Sequence, residues 1–349
     1  MRIDVIGAGS LGLLLAGRLI AGGAEVRIWC RSEGQSRALT EQGLTVSYED
    51  ERESMLLPGT SFSAAPVEEY TQCQLAEPGE VTLLTVKQKV LHEALPEILL
   101  PLRDRKLVII GFQNGYGHLE LLRELLPESS IWAAVTTEAA KRKTLTEVIH
   151  AGKGEICIGK SSSPTYIHET DMQASDPAAI ISFIEALASA GFHASLSKEV
   201  DTIIYRKLLI NAVINPLTAI WRVQNGELLA SPERVHIMKE LYTEAIGIFE
   251  ACGITLEQGA WEAILEVCRA TSGNTSSMLA DVLAARETEI RWINGSIVNM
   301  GLQQDVQAPL HCGICGLVEG MTVREGVRLF GISPEFVRRV KRYSDCSFF

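Results

Sequence analysis

Three polar side chains at four-residue spacing interrupt the apolar segment RKLLINAVINPLTAIW in the second half of the chain. They are Lys207, Asn211 and Asn215, and residues four apart lie on one face of a helix, here as a stripe about 12 Å long. A lysine ammonium can donate a proton and stabilise a growing negative charge, while two amides can hold a small polar molecule. The alternative is that all three side chains are only solvated. Pro216 follows directly and lacks the N–H that a helix uses, so we expect a kink there.

The hexapeptide GAGSLG near the N-terminus has the pattern G-x-G-x-x-G between an apolar strand and a helical segment. Gly7 permits a tight turn, Gly9 lets a pyrophosphate approach the backbone, and Gly12 allows close packing of helix on strand. The free N–H groups of Ser10 and Leu11 at the helix start would face the anion. This context predicts a dinucleotide site; the alternative is a merely tight turn.

The second predicted strand ends in the sequence IWCRS, where an NAD-binding domain would place an Asp or Glu for the ribose hydroxyls. Arg31 stands there instead. An arginine suits a 2′-phosphate, and no carboxylate is present to repel that phosphate. We therefore predict NADPH/NADP+ as the cofactor in preference to NADH, with an ordinary surface arginine as the alternative.

Polar residues also follow two further predicted strands, VTLLTV and KLVIIGF. Lys87 comes after the first of them, and Gln113 and Asn114 come after the second. Ligands of parallel sheets bind beyond the carboxyl ends of the strands, so these residues are candidates for the cofactor site. Lys87 could instead be a solvated strand-end lysine, and Asn114-Gly115 could be only a turn.

Six apolar runs in the first half predict buried strands separated by helical segments. The runs are RIDVIG, EVRIW, VTLLTV, KLVIIGF, SIWAAV and GEICIG. This alternation is typical of an α/β fold with a doubly wound parallel sheet. After about Ser197 long segments of period 3.6 take over, among them MLADVLAARETEIRWINGSIVNMG. We predict a Rossmann-type NADP-binding domain over residues 1–197 and an all-helical substrate and catalytic domain over residues 198–349.

The composition argues against several classes of partner. The 349 residues are 46% hydrophobic and carry a net charge of −11, which gives no electrostatic footprint for nucleic acid or an anionic membrane. We find no run of 18 apolar residues without a charge, so no membrane span is expected. The one basic stretch, RRVKRY near the C-terminus, is expected to be a solvated helix face.

The eight cysteines are scattered, and only HCGIC, with Cys312 and Cys315, has paired spacing. A single C-x-x-C is a weak metal or redox signal, so we expect no metal site. Scattered thiols without a signal peptide fit a reducing, cytoplasmic location.

Taken together, these motifs resemble the ketopantoate reductase (2-dehydropantoate 2-reductase) family over nearly the whole chain. The resemblance rests on GAGSLG, TVK, QNGYG, RKLLINAVINPLTA and SSMLADVLAARETEIRWING. It implies NADPH-dependent reduction of 2-dehydropantoate to pantoate, a step toward pantothenate and coenzyme A. It also implies a Rossmann domain facing a helical domain like that of 6-phosphogluconate dehydrogenase.

The resemblance assigns roles to individual residues. Lys207 matches the catalytic lysine, Glu289 its acidic partner, Asn211, Asn215, Asn274 and Ser277 the substrate contacts, and Lys87 and Asn114 the residues at the nicotinamide end. Asn114 and Lys207 are expected to touch the substrate as well. The tail, from QAPLHCGICGLVEGMTVREG onward, departs from the family pattern, which leaves a homodimer open.

Glu289 raises a geometric difficulty, because it lies 12 residues after Ser277. On one straight helix the two would be about 18 Å apart, too far for one small substrate. Either the helix starts well after Ser277 or only one of the two touches the substrate. Glu289 could also belong to a surface ion-pair array with Arg286 and Glu287.

The sequence leaves two other functions open. The first is a reductase of the same architecture that acts on another 2-oxo acid, because the stripe alone does not fix the substrate. The second is a non-enzymatic NADP(H)-binding protein, a sensor or a structural subunit, which would not need Lys207 and Glu289. Turnover of NADPH with ketopantoate separates these alternatives.

Overall fold

The computed structural model describes residues 1–50, 52–161 and 176–321. The strands in these ranges are β1 (Arg2–Ile6), β2 (Glu25–Cys30), β3 (Leu44–Tyr48), β4 (Met55–Leu57), β5 (Ser63–Pro66), β6 (Val81–Leu84), β7 (Val108–Gly111), β8 (Ser130–Thr136), β9 (Ala139–Arg142), β10 (Glu147–Gly152), β11 (Glu155–Gly159) and β12 (His193–Leu196). The α-helices are α1 (Ser10–Ala21), α2 (Glu33–Gln42), α3 (Tyr70–Ala76), α4 (Gln88–Glu93), α5 (Leu95–Leu99), α6 (His118–Leu125), α7 (Asp176–Ser189), α8 (Val200–Trp221), α9 (Pro232–Ala251), α10 (Ala260–Ala270), α11 (Ser277–Leu283), α12 (Ile290–Gln303) and α13 (Pro309–Met321).

An eight-stranded sheet forms the centre of the first half, in the order β12-β11-β8-β7-β6-β1-β2-β5. All neighbouring pairs are parallel except β8 and β11, which run antiparallel. The predicted α/β, Rossmann-type architecture is confirmed, with one reversed strand pair that the sequence did not indicate. The chain moves outward in opposite directions from β1 and β6, so a ligand crevice is expected beyond their carboxyl ends.

A second sheet of four strands, in the order β4-β3-β10-β9, was not predicted. It packs against α1, and Gly17 on that helix makes the close approach possible. A Cβ added at Gly17 would lie 2.5 Å from the Cγ2 of Val46 in β3. The second sheet therefore lies beside the helix that follows the glycine loop.

The second half of the described chain is helical, as predicted, and α8 runs through its core. By length and composition α8 could cross a membrane, but 61% of its most apolar window is buried inside the protein. The predicted boundary after residue 197 falls between β12 and α8; the division into two domains stays a prediction. The basic stretch RRVKRY lies outside the described residues.

Helix α8 continues through Pro216 to Trp221, so the proline does not end it. Because Pro216 has no N–H, the carbonyl of Ala212 lacks its usual helical donor. The buried side chain of Asn294 supplies one, with its Nδ2 2.9 Å from that oxygen, and the same Nδ2 lies 2.9 Å from Nδ1 of His311. His311 Nε2 in turn lies 3.0 Å from the carbonyl oxygen of Leu241. One buried polar network thus joins four helices.

The segment that follows Ser277 is not one helix. Helix α11 ends at Leu283, Ala285 has a positive φ of 48°, and α12 begins only at Ile290. A left-handed residue of this kind ends a helix. Glu289 immediately precedes α12, which starts well after Ser277, as the first of the two alternatives supposed. The separate short helix α11, which begins at Ser277, was not predicted.

Candidate active site

The glycine loop connects β1 to α1, as the motif predicts. Gly7 has a φ of +112°, and a Cβ at Gly12 would lie only 1.9 Å from the carbonyl oxygen of Gly7. The Thr85 hydroxyl donates to the carbonyl oxygens of Ile6 and Gly7, at 3.0 and 2.8 Å, and fixes the turn. Only glycine fits at these two points, because the first needs a left-handed backbone and the second has no space.

The face of the loop at Gly9 is open. Within the described part of the chain, a Cβ added at Gly9 would meet no atom within 4 Å, and no side chain caps the start of α1. Ser10 and Leu11, the first residues of that helix, are partly buried and carry no acidic neighbour in the first turn. Uncapped N–H groups facing open space fit a phosphate, so the residues present suit a dinucleotide.

Arg31 follows β2 directly and is exposed. Ser32 caps the start of α2, where its side chain accepts a hydrogen bond from Gln35 N. No carboxylate of the described residues lies within ion-pair distance of Arg31. The guanidinium is therefore available to an anionic ligand.

Lys87 stands just before α4, and its ammonium reaches the helical half of the protein. Its Nζ lies 2.7 Å from Oδ2 of Asp281, which is buried on α11. Lys89 makes a second ion pair across the same cleft, with Glu287. These pairs hold α11 and the segment that follows it against the carboxyl end of the large sheet.

The two polar residues after β7 have different environments. Gln113 turns back into the sheet, where its Nε2 donates to the carbonyl oxygens of Leu84 and Val86 at 2.9 and 3.0 Å. Asn114 lies beside the cleft, and its carbonyl oxygen accepts a hydrogen bond of 3.0 Å from Gln88. Of the two, Asn114 is the one that the structure places at the candidate site.

Gly115 brings the backbones of the two halves together. Its φ is +89°, and an added Cβ would lie 2.2 Å from the carbonyl oxygen of Trp292 in the first turn of α12. The neighbouring Tyr116 N donates to that same oxygen at 3.1 Å. Gly115 therefore has a steric role that no other residue could fill, beyond the turn considered from the sequence.

Lys207 points from α8 toward the end of the large sheet. Its Nζ donates to the carbonyl oxygen of Thr136, the last residue of β8, at 2.8 Å. Burial lowers the pKa of Lys207 to about 8, although the nearby Glu289 carboxylate acts in the opposite direction. An ammonium with such a pKa can both donate and take up a proton near neutral pH.

Glu289 immediately precedes α12 and faces the same point. Burial raises the pKa of its carboxyl group, while Lys87, the backbone N–H of Gln88 and the amide of Asn114 lie close by and lower it. The Gln88 N–H is 3.4 Å from the carboxylate. Lys87, Asn114, Lys207 and Glu289, which are far apart in the sequence, are thus brought together in one cleft.

The rest of the stripe extends along α8 away from this cluster. Asn211 is partly buried and Asn215 is 7% exposed. One turn further, the Thr218 hydroxyl lies 2.7 Å from the hydroxyl of Ser276, the residue that caps α11. Ser277, exposed at the start of α11, therefore stands at the Asn215 end of the stripe, while Glu289 stands at the Lys207 end.

Asn274 lies in the turn before α11, with an exposed side chain. Its backbone N donates to Thr271 O at 2.8 Å, and its carbonyl oxygen accepts from Asn225 N at 3.0 Å. The turn is therefore well fixed while the amide is free to face the cleft or solvent.

Two family models match most of the chain. Residues 3–163 match the family described as Ketopantoate reductase PanE/ApbA, and residues 199–322 match Ketopantoate reductase PanE/ApbA C terminal. A 2-dehydropantoate 2-reductase of Bacillus subtilis is 30% identical over 314 residues, which make up 88% of this chain and 93% of the relative. The chain belongs to the ketopantoate reductase family.

Solved structures extend the comparison to the fold. A PanE/ApbA family ketopantoate reductase from Ralstonia eutropha JMP134 superposes with a TM-score of 0.78 at 23% identity, covering 92% of this chain and 98% of that one. A D-mandelate dehydrogenase in a ternary structure with NADH and anilino(oxo)acetate reaches a TM-score of 0.77 at 20% identity, with the same coverage. The fold of the ketopantoate reductases thus also occurs in a D-mandelate dehydrogenase.

Two residues of this ketopantoate reductase family member contact the cluster of Lys87, Asn114, Lys207 and Glu289 but were not identified from the sequence. Asp281 is a single acidic residue in a short helix, and nothing in its spacing indicated a partner 194 positions away. Thr136 contributes a backbone carbonyl, which every residue possesses, so no residue type could have marked it.

Proposed function

We propose that this protein catalyses the NADPH-dependent reduction of 2-dehydropantoate to pantoate, a step of pantothenate and coenzyme A biosynthesis. The observation that carries the proposal is the meeting of Lys207 and Glu289 beside Asn114, next to the carboxyl ends of β7 and β8. The 30% identity to a 2-dehydropantoate 2-reductase of Bacillus subtilis supports the same substrate.

When bound, the nicotinamide would supply the hydride that the ketone carbon of the substrate needs. The ketone oxygen gains the charge, and the Lys207 ammonium donates the proton that converts it to the hydroxyl group. Before the transfer, the same ammonium stabilises the developing negative charge. Glu289 keeps Lys207 protonated by its own charge and is not required to accept the proton itself.

The other polar residues of the cleft would hold the substrate. Asn211, Asn215, Asn274 and Ser277 offer amides and a hydroxyl to its carboxylate and hydroxyl groups. Fixing a small molecule between the two ends of the stripe orients the ketone toward Lys207, which contributes to catalysis by reducing the freedom of the reactants.

The cofactor would lie across the glycine loop with its phosphates on Gly9, Ser10 and Leu11. The nicotinamide end would reach Lys87 and Asn114. Arg31 supports NADPH over NADH, because a guanidinium binds a 2′-phosphate by charge-assisted, often bidentate hydrogen bonds.

A steady-state assay of the purified full-length protein tests this function. 2-Dehydropantoate and a panel of other 2-oxo acids, including an aryl 2-oxo acid, would be offered with NADPH and with NADH. We expect the highest kcat/KM for 2-dehydropantoate with NADPH. A higher kcat/KM with another 2-oxo acid would show that 2-dehydropantoate is not the preferred substrate, but the proposed reduction of a ketone would still hold. Binding of NADPH without any turnover would favour a sensor.

We further propose that the enzyme acts in the cytoplasm. The seven cysteines in the described part of the chain are free thiols, which supports a reducing compartment. A homodimer is a separate hypothesis, and light scattering of the full-length protein tests it.

A further inference from the structure

A basic residue of the second sheet lies on the glycine loop. The backbone N–H of Arg142, at the end of β9, donates to the hydroxyl of Ser10 at 3.1 Å. The guanidinium of the same residue lies 3.4 Å from the carbonyl oxygen of Ala8. The second sheet therefore brings a positive charge to the loop where the phosphates of the cofactor would bind.

The side of the loop that Arg142 contacts is the side of Arg31. Gln35 on α2 donates to the same Ala8 oxygen at 2.8 Å and also to the carbonyl oxygen of Leu145 at 3.0 Å. Leu145 belongs to the turn between β9 and β10, and α2 begins two residues after Arg31. Gln35 thus connects α2, which starts just after Arg31, with both the glycine loop and the β9–β10 hairpin that carries Arg142.

Among the described residues, no carboxylate neutralises the guanidinium of Arg142. Arg142 is exposed, and in the described ranges no Asp or Glu oxygen lies within ion-pair distance of it. The next residue, Lys143, is instead paired with Glu147 at 2.9 Å. The described residues thus offer no acidic partner to Arg31 or to Arg142, and the Arg142 guanidinium and Gln35 of α2 meet at the carbonyl oxygen of Ala8.

We propose that Arg142 is a second arginine of the 2′-phosphate site and helps to determine the preference for NADPH. This inference rests on the proposed NADPH dependence and adds a residue to it. A 2′-phosphate carries two negative charges at neutral pH and three acceptor oxygens, enough for two guanidinium groups that approach from different sides. The loop carbonyl of Ala8 holds Arg142 in place until the phosphate arrives.

The test is a binding measurement on the full-length protein without substrate. Dissociation constants for NADPH, NADH, 2′-AMP and 5′-AMP would be determined for the wild type, Arg142→Ala and Arg31→Ala. Lys141→Ala is the matched control, since it removes the same charge from the adjacent residue, whose side chain points to the opposite face of the strand. Arg142→Gln, a milder change, guards against misfolding, which circular dichroism would detect.

We expect both Arg142 variants to weaken NADPH and 2′-AMP binding by about 10- to 100-fold. NADH and 5′-AMP binding should change by less than about threefold, and Lys141→Ala should have little effect on any ligand. An equal loss for NADPH and NADH would overturn the proposal, because Arg142 would then act on the diphosphate or on the loop. An unchanged NADPH affinity would overturn it as well.

These outcomes are separable from a failure of the proposed function. A wild type that binds NADPH and NADH equally would overturn the cofactor assignment and the role of Arg142 together. A wild type that prefers NADPH but does not reduce 2-dehydropantoate would overturn only the substrate, and the selective loss in Arg142→Ala would still support this inference.

Discussion

Lys207 and Thr136 are joined by a hydrogen bond of 2.8 Å between the side-chain Nζ and the backbone carbonyl oxygen. Thr136 ends β8, so the large sheet positions the group that we propose as proton donor, although that group belongs to a helix of the other half. A carbonyl accepts a hydrogen bond without neutralising charge, so Lys207 remains available to an alkoxide.

The first prediction concerns Lys207. Replacing Lys207 by Ala should lower kcat/KM for reduction by about 10²- to 10⁴-fold, because the general acid is lost. NADPH affinity should change little, since Lys207 is remote from the glycine loop. Lys207→Arg should not restore activity, because a guanidinium is bulkier and gives up its proton far less readily. A Lys207→Ala enzyme with most of its kcat would make Lys87 the next candidate.

The pH dependence gives a second, independent prediction. The ammonium form is the acid, and its pKa is about 8, so kcat/KM for reduction should fall as pH rises through about 8. Oxidation of pantoate should show the opposite trend. Glu289→Gln removes the charge that raises the pKa of Lys207, so the alkaline limb should move to lower pH. If the alkaline limb did not move in that variant, Glu289 would not influence the pKa of Lys207.

Arg31 gives a third prediction, on cofactor choice. Arg31→Ala should raise KM for NADPH by about 10- to 100-fold, because a charge-assisted contact with the 2′-phosphate is lost. KM for NADH should be nearly unchanged, as that cofactor lacks the phosphate. Initial rates with both cofactors measure this, and equal losses would show that Arg31 does not contact the 2′-phosphate.

The fourth prediction is that Cys312 and Cys315 are dispensable. Burial raises the pKa of both thiols, that of Cys315 to about 12, and the described residues contain no cluster of three potential metal ligands. The double Ser variant should keep its turnover and metal content. Loss of bound metal, measured by elemental analysis of the folded variant, would contradict this.

Stability provides the fifth prediction, through the bond between Asn294 and Ala212. Asn294→Ala leaves the Ala212 carbonyl and His311 without their donor and should lower the free energy of unfolding by about 2–4 kcal/mol. Pro216→Ala supplies a backbone N–H that can reach the same carbonyl. In that background Asn294→Ala should therefore cost about 1 kcal/mol less. Urea unfolding of the wild type, the two single variants and the double variant measures this coupling. Additive losses in the free energy of unfolding would show that the two sites are not coupled.

Much of the large sheet could be predicted because its central strands are short apolar runs buried on both faces, as in β6. The second sheet could not. Strands such as β9, with the sequence AAKR, carry exposed polar residues and gain their stability from pairing with distant segments. For the same reason nothing in the sequence marked Arg142, and only the packing of β9 on α1 brings it to the loop.

The candidate site divides in a similar way. Lys207, Asn211 and Asn215 were visible because one helix spaces them regularly. The positions of Glu289 and Ser277 relative to each other could not be predicted. The apolar periodicity indicates a single helix, but a left-handed residue, Ala285, breaks it. Alanine gives no local signal for such a conformation, which is set by tertiary contacts.

Gly115 limits how closely the two halves of the protein can approach each other. The space for its missing Cβ is occupied by the carbonyl oxygen of Trp292, so the backbones touch and cannot approach further. The width of the cleft is therefore set by main-chain atoms, which neither rotate nor vary with sequence as side chains do. Any side chain at this position would act as a spacer and move the first turn of α12, with Glu289 just before it, away from the sheet that holds Lys207.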